Sequence, residues 1–216
     1  MLEKITLEPQ ALATASIIWL HGLGADGHDF VPIAEELDLP QVRYIFPHAP
    51  VRPISLNNGY AMRGWYDIFG LGLDSQQDEA GIRAMQAEIE TLVQDEIARG
   101  IQAERIVLAG FSQGGAMALQ TALRYPHQLA CVLALSTYLP LKQTLATEKH
   151  AANQATPILM AHGTDDSVIL PATAAISRDV LRDNGYALEW HTYDMPHSVC
   201  AEEIDDIRQF LQRVLR

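Results

Sequence analysis

Residues 105–119 read Arg-Ile-Val-Leu-Ala-Gly-Phe-Ser-Gln-Gly-Gly-Ala-Met-Ala-Leu. A continuous apolar run leads to a serine with glycine two positions away on either side, and small apolar residues follow. An unbroken apolar segment of this length has the pattern of a strand covered on both faces. The small residues after it suit a helix packed closely against that strand. Joining the two without a loop forces a sharp turn at Ser112, where larger side chains at positions 110 and 114 would collide. A Gly-x-Ser-x-Gly string is weak on its own; the strand before it and the helix after it give it force.

The rest of the chain repeats the alternation. Short apolar segments at 16–20, 42–46, 105–109, 130–136, 158–161 and 187–193 predict strands. Between them, 78–99 carries Ile82, Met85, Ile89, Leu92, Val93 and Ile97 at helical spacing and stops at Gly100. Further helices are expected over 115–125, 171–184 and 202–215. Strands alternating with helices define an α/β fold with a mostly parallel central sheet and helices on both faces. No repeat divides the chain, and its length suits one domain over residues 1–216. The segment 47–77, rich in proline and glycine, fits neither period, and long irregular segments in compact domains are usually functional.

Composition narrows the partners. Fifteen Lys and Arg are scattered among 27 Asp and Glu, for a net charge of −12, and that balance argues against a nucleic-acid partner. No apolar run approaches the roughly 20 residues needed to span a bilayer, and the N-terminus lacks the features of a signal peptide. A cytoplasmic address is expected by default. The two cysteines, Cys131 and Cys200, do not make a disulfide framework, and no His-x-x-x-His or Cys-x-x-Cys spacing points to a metal. No cofactor motif is present. Oligomeric state is left open, with a homodimer among the alternatives.

A serine on such a turn needs a base, and the base an orienting acid, in the chain order serine, acid, histidine. Both follow. The strand ending Ala161-His-Gly-Thr-Asp-Asp166 puts Asp165 and Asp166 at its C-terminal end, and His197 lies on the loop before the final helix. His162 is expected to bond backbone, and His28 and His48 lie in loops without a partner motif. The small-residue loop His21-Gly-Leu-Gly-Ala-Asp-Gly27 after the first apolar strand can present backbone N–H groups. Together with the N–H of Gln113, that of Leu23 is placed to stabilise an oxyanion. The segment 61–73 combines glycines with large apolar residues, and Trp65, Ile68, Phe69, Leu71 and Leu73 are expected to form an apolar wall for an acyl chain.

These motifs, with Trp65-Tyr-Asp67, Gly110-Phe-Ser-Gln-Gly-Gly-Ala-Met-Ala-Leu119, His162-Gly-x-x-Asp166 and His197, resemble the phospholipase/carboxylesterase family, which includes bacterial carboxylesterases and acyl-protein thioesterases. The likeness runs from about Ile17 to the C-terminus. It implies an α/β-hydrolase fold and a serine esterase acting on short to medium-chain esters, with acyl thioesters as further substrates. It further implies Ser112 as nucleophile, His197 as base, Asp166 as the acid, and Leu23 and Gln113 at the oxyanion hole. Two departures are Ser167, where many members have Pro or Asp, and Tyr66 in place of the family's Phe. The rival readings are another activity on the same fold, a peptidase or a dienelactone-type hydrolase, and a binding module without activity.

Overall fold

The apolar runs assemble into one sheet. The computed structural model describes residues 2–70 and 75–216. Its elements in chain order are β1 (Lys4–Leu7), β2 (Ala15–Leu20), α1 (Val31–Leu37), β3 (Val42–Pro47), β4 (Val51–Ile54), β5 (Tyr60–Arg63), α2 (Glu79–Ala98) and β6 (Ile106–Phe111). There follow α3 (Gln113–Ala122), β7 (Cys131–Leu135), α4 (Leu145–Glu148), β8 (Ile158–Gly163), α5 (Pro171–Asp183), β9 (Leu188–Tyr193) and α6 (Ala201–Val214). Among the described residues, seven strands pair in the order β1-β3-β2-β6-β7-β8-β9. All neighbours are parallel apart from β1, which runs antiparallel to β3.

Alternation hidden inside the continuous apolar runs divides the core into two layers. Ile18, Leu20, Leu108, Val132, Ala134 and Met160 face α2, α3 and α5 on one side. Ile17, Trp19, Val107, Ala109, Leu133 and Leu159 face α1 and α6 on the other. Helix α3 is buried along its whole length, which explains its Gly, Ala and Met composition: it lies against the middle of the sheet and leaves no room for a polar face.

The segment 47–77 is not wholly irregular. β4 and β5 form an antiparallel hairpin, its turn reversing at Asn58 and Gly59 with φ of 54° and 77°. Pro53 and the exposure of Val51 and Tyr60 hide the strand period. β1 and α1 were not expected either: β1 is a four-residue edge strand, half-buried throughout, and α1 is a seven-residue helix, too short to show a period.

Helix α6 begins with a buried carboxyl. Glu203 is 0% exposed, and neither of its oxygens has a hydrogen-bond partner of full geometry among the described residues. Burial pushes it up to about 8 from an ordinary 4.5, against the opposing effect of the Cys200 N–H. The folded state therefore holds this proton more tightly than the unfolded chain does. The contribution to stability is complete below about pH 4.5 and is lost as pH rises through about 8. In Glu203→Gln the melting temperature is expected to exceed that of the wild type by several degrees at pH 9 and to converge with it at pH 5. A variant less stable than the wild type at pH 9 would contradict this.

Candidate active site

Four loops leave the C-terminal ends of parallel strands on one edge of the sheet, where open α/β sheets bind their ligands. They are the loops after β2, β6, β8 and β9. The turn after β6 places Ser112 at φ 55° and ψ −122°, a conformation that costs a non-glycine residue of order 1–3 kcal/mol. The surroundings hold it there. The Ser112 N–H donates to Leu135 O at 2.9 Å, and Thr137 Oγ1 donates to Ser112 O at 2.6 Å. A Cβ on Gly110 would lie 2.3 Å from the carbonyl carbon of Gly114, and one on Gly114 would lie 2.1 Å from Leu20 O, so neither position accepts a side chain.

His197 Nε2 lies 2.9 Å from Ser112 Oγ, and its Nδ1 lies 2.6 Å from Asp166 Oδ2. Asp166 is 2% exposed, and its other oxygen accepts the backbone N–H groups of Val168 and Ile169 at 2.9 and 2.8 Å. A carboxylate acceptor at Nδ1 puts the ring proton there and leaves Nε2 to accept from the serine hydroxyl. Asp165, its neighbour, is exposed and joins the loop through its backbone N–H, 3.2 Å from Met195 O. The close approach of the two loops depends on Gly163, where a Cβ would lie 2.3 Å from Met195 O. His162 contacts backbone as expected, its Nε2 lying 2.8 Å from Ile169 O, and burial lowers its pKa.

Gln113 follows the serine directly, and Leu23 follows Gly22, where a Cβ would lie 3.5 Å from the Ser112 Cβ. Among the described residues, no hydrogen bond occupies the N–H of Leu23 or of Gln113. The Gln113 side chain, for which the sequence predicts no role, clamps the segment beside it: Oε1 accepts the Trp65 N–H at 2.8 Å and Nε2 donates to Tyr66 O at 2.8 Å. His21 lies 2.7 Å from Gly22 O through Nδ1 and accepts the Ala49 N–H through Nε2 at 3.0 Å. Burial pushes it down to about 4, so its ring is neutral at pH 7. The signal available for both was adjacency to a donor position.

The residues expected to form the apolar wall are differently placed. Trp65 is 0% exposed and its indole N–H donates to His21 O at 2.8 Å, so it braces the loop after β2. Ile68 and Phe69 line a cavity of about 80 Å³ that they share with Tyr66, Tyr138, Val168 and Ile169. Ser112 is not part of its lining. The cavity abuts the site through Val168 and Ile169, which hold Asp166, and through Tyr66, which bonds Gln113. Leu71 and Leu73 lie outside the described residues.

Among the described residues, Asp26, His28 and His48 bring potential metal-ligand atoms within 4.8 Å of one another. The pairing of His28 with His48, twenty positions apart, is invisible to spacing rules. His48 Nδ1 already accepts the Gly27 N–H at 3.0 Å, and Asp26 Oδ1 already bonds the backbone and ring of His28 at 2.8 and 3.0 Å. The group is thus internally bonded.

A parallel sheet with a serine elbow at its central strand, and with histidine and aspartate on the loops of later strands, defines the α/β-hydrolase class. The phospholipase/carboxylesterase family model matches residues 3–215. Acyl-protein thioesterase 1 of Neurospora crassa is 44% identical over 210 residues, 92% of this chain and 86% of that one. Its counterpart in Gibberella zeae is 40% identical over 214 residues, covering 94% and 91%. Among solved structures, acyl-protein thioesterase 2 of Zea mays superposes with a TM-score of 0.91 at 31% identity, covering 100% of both chains. SOBER1 of Arabidopsis thaliana superposes at 0.90 and 31%, covering 94% of this chain and 99% of that one. The chain belongs to the phospholipase/carboxylesterase family and is a carboxylic ester hydrolase.

Proposed function

We propose that Ser112, His197 and Asp166 carry a two-step acyl transfer on short to medium-chain esters and on acyl thioesters. The observation that carries the reading is the hydrogen-bonded line from Ser112 Oγ through the imidazole to the buried carboxylate, at 2.9 and 2.6 Å. Ser112 Oγ bonds to the acyl carbon while His197 Nε2 takes its proton. The carbonyl oxygen becomes an oxyanion facing the N–H groups of Leu23 and Gln113, each worth roughly 3–4 kcal/mol. Collapse expels the alcohol or thiol, which receives the proton from His197. Water, activated by the same imidazole, then releases the acid. The fluorophosphonate test is direct: one equivalent of probe is expected on Ser112, with complete loss of p-nitrophenyl ester turnover. An active enzyme with an unlabelled Ser112 would refute the assignment, and turnover of peptides in preference to aryl esters would favour the peptidase alternative.

The thioester half of the reading rests on the relatives, which are named acyl-protein thioesterases. No helix among the described residues is long and apolar enough to cross a membrane. The cysteines are free and Cys131 is buried, which suits a reducing compartment such as the cytoplasm. Residues 1–216 form one catalytic domain in this reading.

The cavity bordered by Ile68 and Phe69 is the proposed start of the acyl site. A buried methylene contributes about 0.8 kcal/mol, or roughly fourfold in kcat/KM. Over a series of p-nitrophenyl esters, kcat/KM is expected to climb with chain length until the cavity is filled. Phe69→Ala, at a residue 45% exposed, is expected to flatten that climb and leave acetyl ester turnover within twofold. Equal losses on acetyl and octanoyl esters would place the acyl site elsewhere.

A further inference from the structure

We infer that His21 is a positioning residue for the oxyanion hole, its Nδ1–H holding the Gly22–Leu23 peptide so that the Leu23 N–H faces the reacting carbonyl. The inference rests on the acyl-transfer reading above. It begins with the tautomer. The Ala49 N–H can only donate, so His21 Nε2, 3.0 Å away, must accept, and the proton of the neutral ring stands on Nδ1. From there it donates to Gly22 O at 2.7 Å. That carbonyl belongs to the same peptide unit as the Leu23 N–H. In a trans peptide the C=O and the N–H point in opposite directions, so fixing the oxygen aims the hydrogen.

The bond is buried and braced. His21 is 1% exposed. Its ring lies against Trp65, with centroids 5.0 Å apart, and its own carbonyl accepts the Trp65 indole N–H. The backbone N–H of Trp65 in turn donates to the side chain of Gln113, whose own backbone supplies the second oxyanion donor. Both donors are thereby referred to one segment, residues 64–66. The Ala25 N–H also reaches Gly22 O, at a longer 3.3 Å, and closes the turn around the same peptide. Nothing else among the described residues holds this carbonyl.

Two substitutions separate the bonds of the ring. In His21→Asn the amide N–H2 falls near Nδ1 and can still donate to Gly22 O, but the acceptor for Ala49 is lost. In His21→Gln the amide can serve Ala49, but the donor to Gly22 O is lost. Because the oxyanion exists only after attack, the inference expects His21→Gln to lower kcat between tenfold and the roughly 10³-fold that removal of one donor costs, with KM within threefold. The Ki of a trifluoromethyl ketone, which forms a hemiketal oxyanion on the serine, is expected to rise by the factor by which kcat/KM falls. His21→Asn is expected to keep kcat within tenfold while losing more in melting temperature, from the unpaired Ala49 N–H. The inference is overturned if His21→Gln turns over like the wild type, if the ketone Ki does not follow kcat/KM, or if His21→Asn loses more than tenfold. Should His21→Gln not fold, the kcat of His21→Asn alone decides on the same threshold. Fluorophosphonate labelling of Ser112 in the wild type is read in parallel, since its failure would remove the acyl-transfer reading itself whatever the variants do.

Discussion

Ser112→Ala is expected to lower kcat on aryl esters by on the order of 10⁶-fold, the loss seen when one member of a serine–histidine–acid unit is removed. The size follows from how the site is built. Without Oγ, His197 Nε2 has no hydroxyl to deprotonate, and the strained turn after β6 presents a methyl group to the carbonyl. The residual rate would come from water positioned by the Leu23 and Gln113 N–H groups. Alanine fits the turn without new contacts, so the melting temperature should stay close to that of the wild type. A folded Ser112→Ala protein with turnover within tenfold of the wild type would end the proposal.

Asp166→Asn is expected to cost about 10⁴ in kcat, as the corresponding change does in serine proteases, whereas Asp165→Asn should change kcat less than threefold. The surroundings force the orientation of the new amide. Asp166 Oδ1 takes the N–H groups of Val168 and Ile169, so the asparagine oxygen must stay there and its N–H2 must face His197 Nδ1. Nδ1 then becomes an acceptor, the ring proton moves to Nε2, and the imidazole can no longer receive the proton of Ser112. Asp165 has no such hold on the ring. A larger loss in Asp165→Asn than in Asp166→Asn would transfer the role of the acid to Asp165.

The segment 105–119 was legible because a strand, a glycine-flanked turn and a helix leave their marks within a few residues of one another. The parallel sheet was legible for the same reason, each buried strand being an apolar run. What escaped was set by contacts distant in sequence. β1 is half-buried throughout, and β4 and β5 are mostly exposed or half-buried, so no apolar period records them; what places them is backbone pairing with β3 and with each other. Trp65 reads as a large apolar residue in a glycine-rich stretch, and only the fold shows its indole turned inward to His21 O. Gln113 is legible for its backbone N–H, next to the serine; that its side chain bonds the Trp65 N–H and Tyr66 O follows from neighbours 47 and 48 positions away. The His28–His48 contact likewise has no local signature. In the doublet Asp165-Asp166, position alone cannot rank the two acids, and burial of one beneath the histidine loop separates them.

His197, the proposed base, follows an edge strand of the sheet. β9 pairs with β8 alone, and most of its residues are exposed or half-buried, whereas Ser112 follows the central β6, held between β2 and β7. During synthesis the oxyanion loop, the serine and the aspartate all precede His197, which must close onto a hydroxyl 85 positions earlier. On the proposed mechanism, a nascent chain completes most of its sheet before its serine has a base. On the same proposal, loosening that one margin of the folded protein would silence it again with Ser112 still on its turn and the bulk of the core in place.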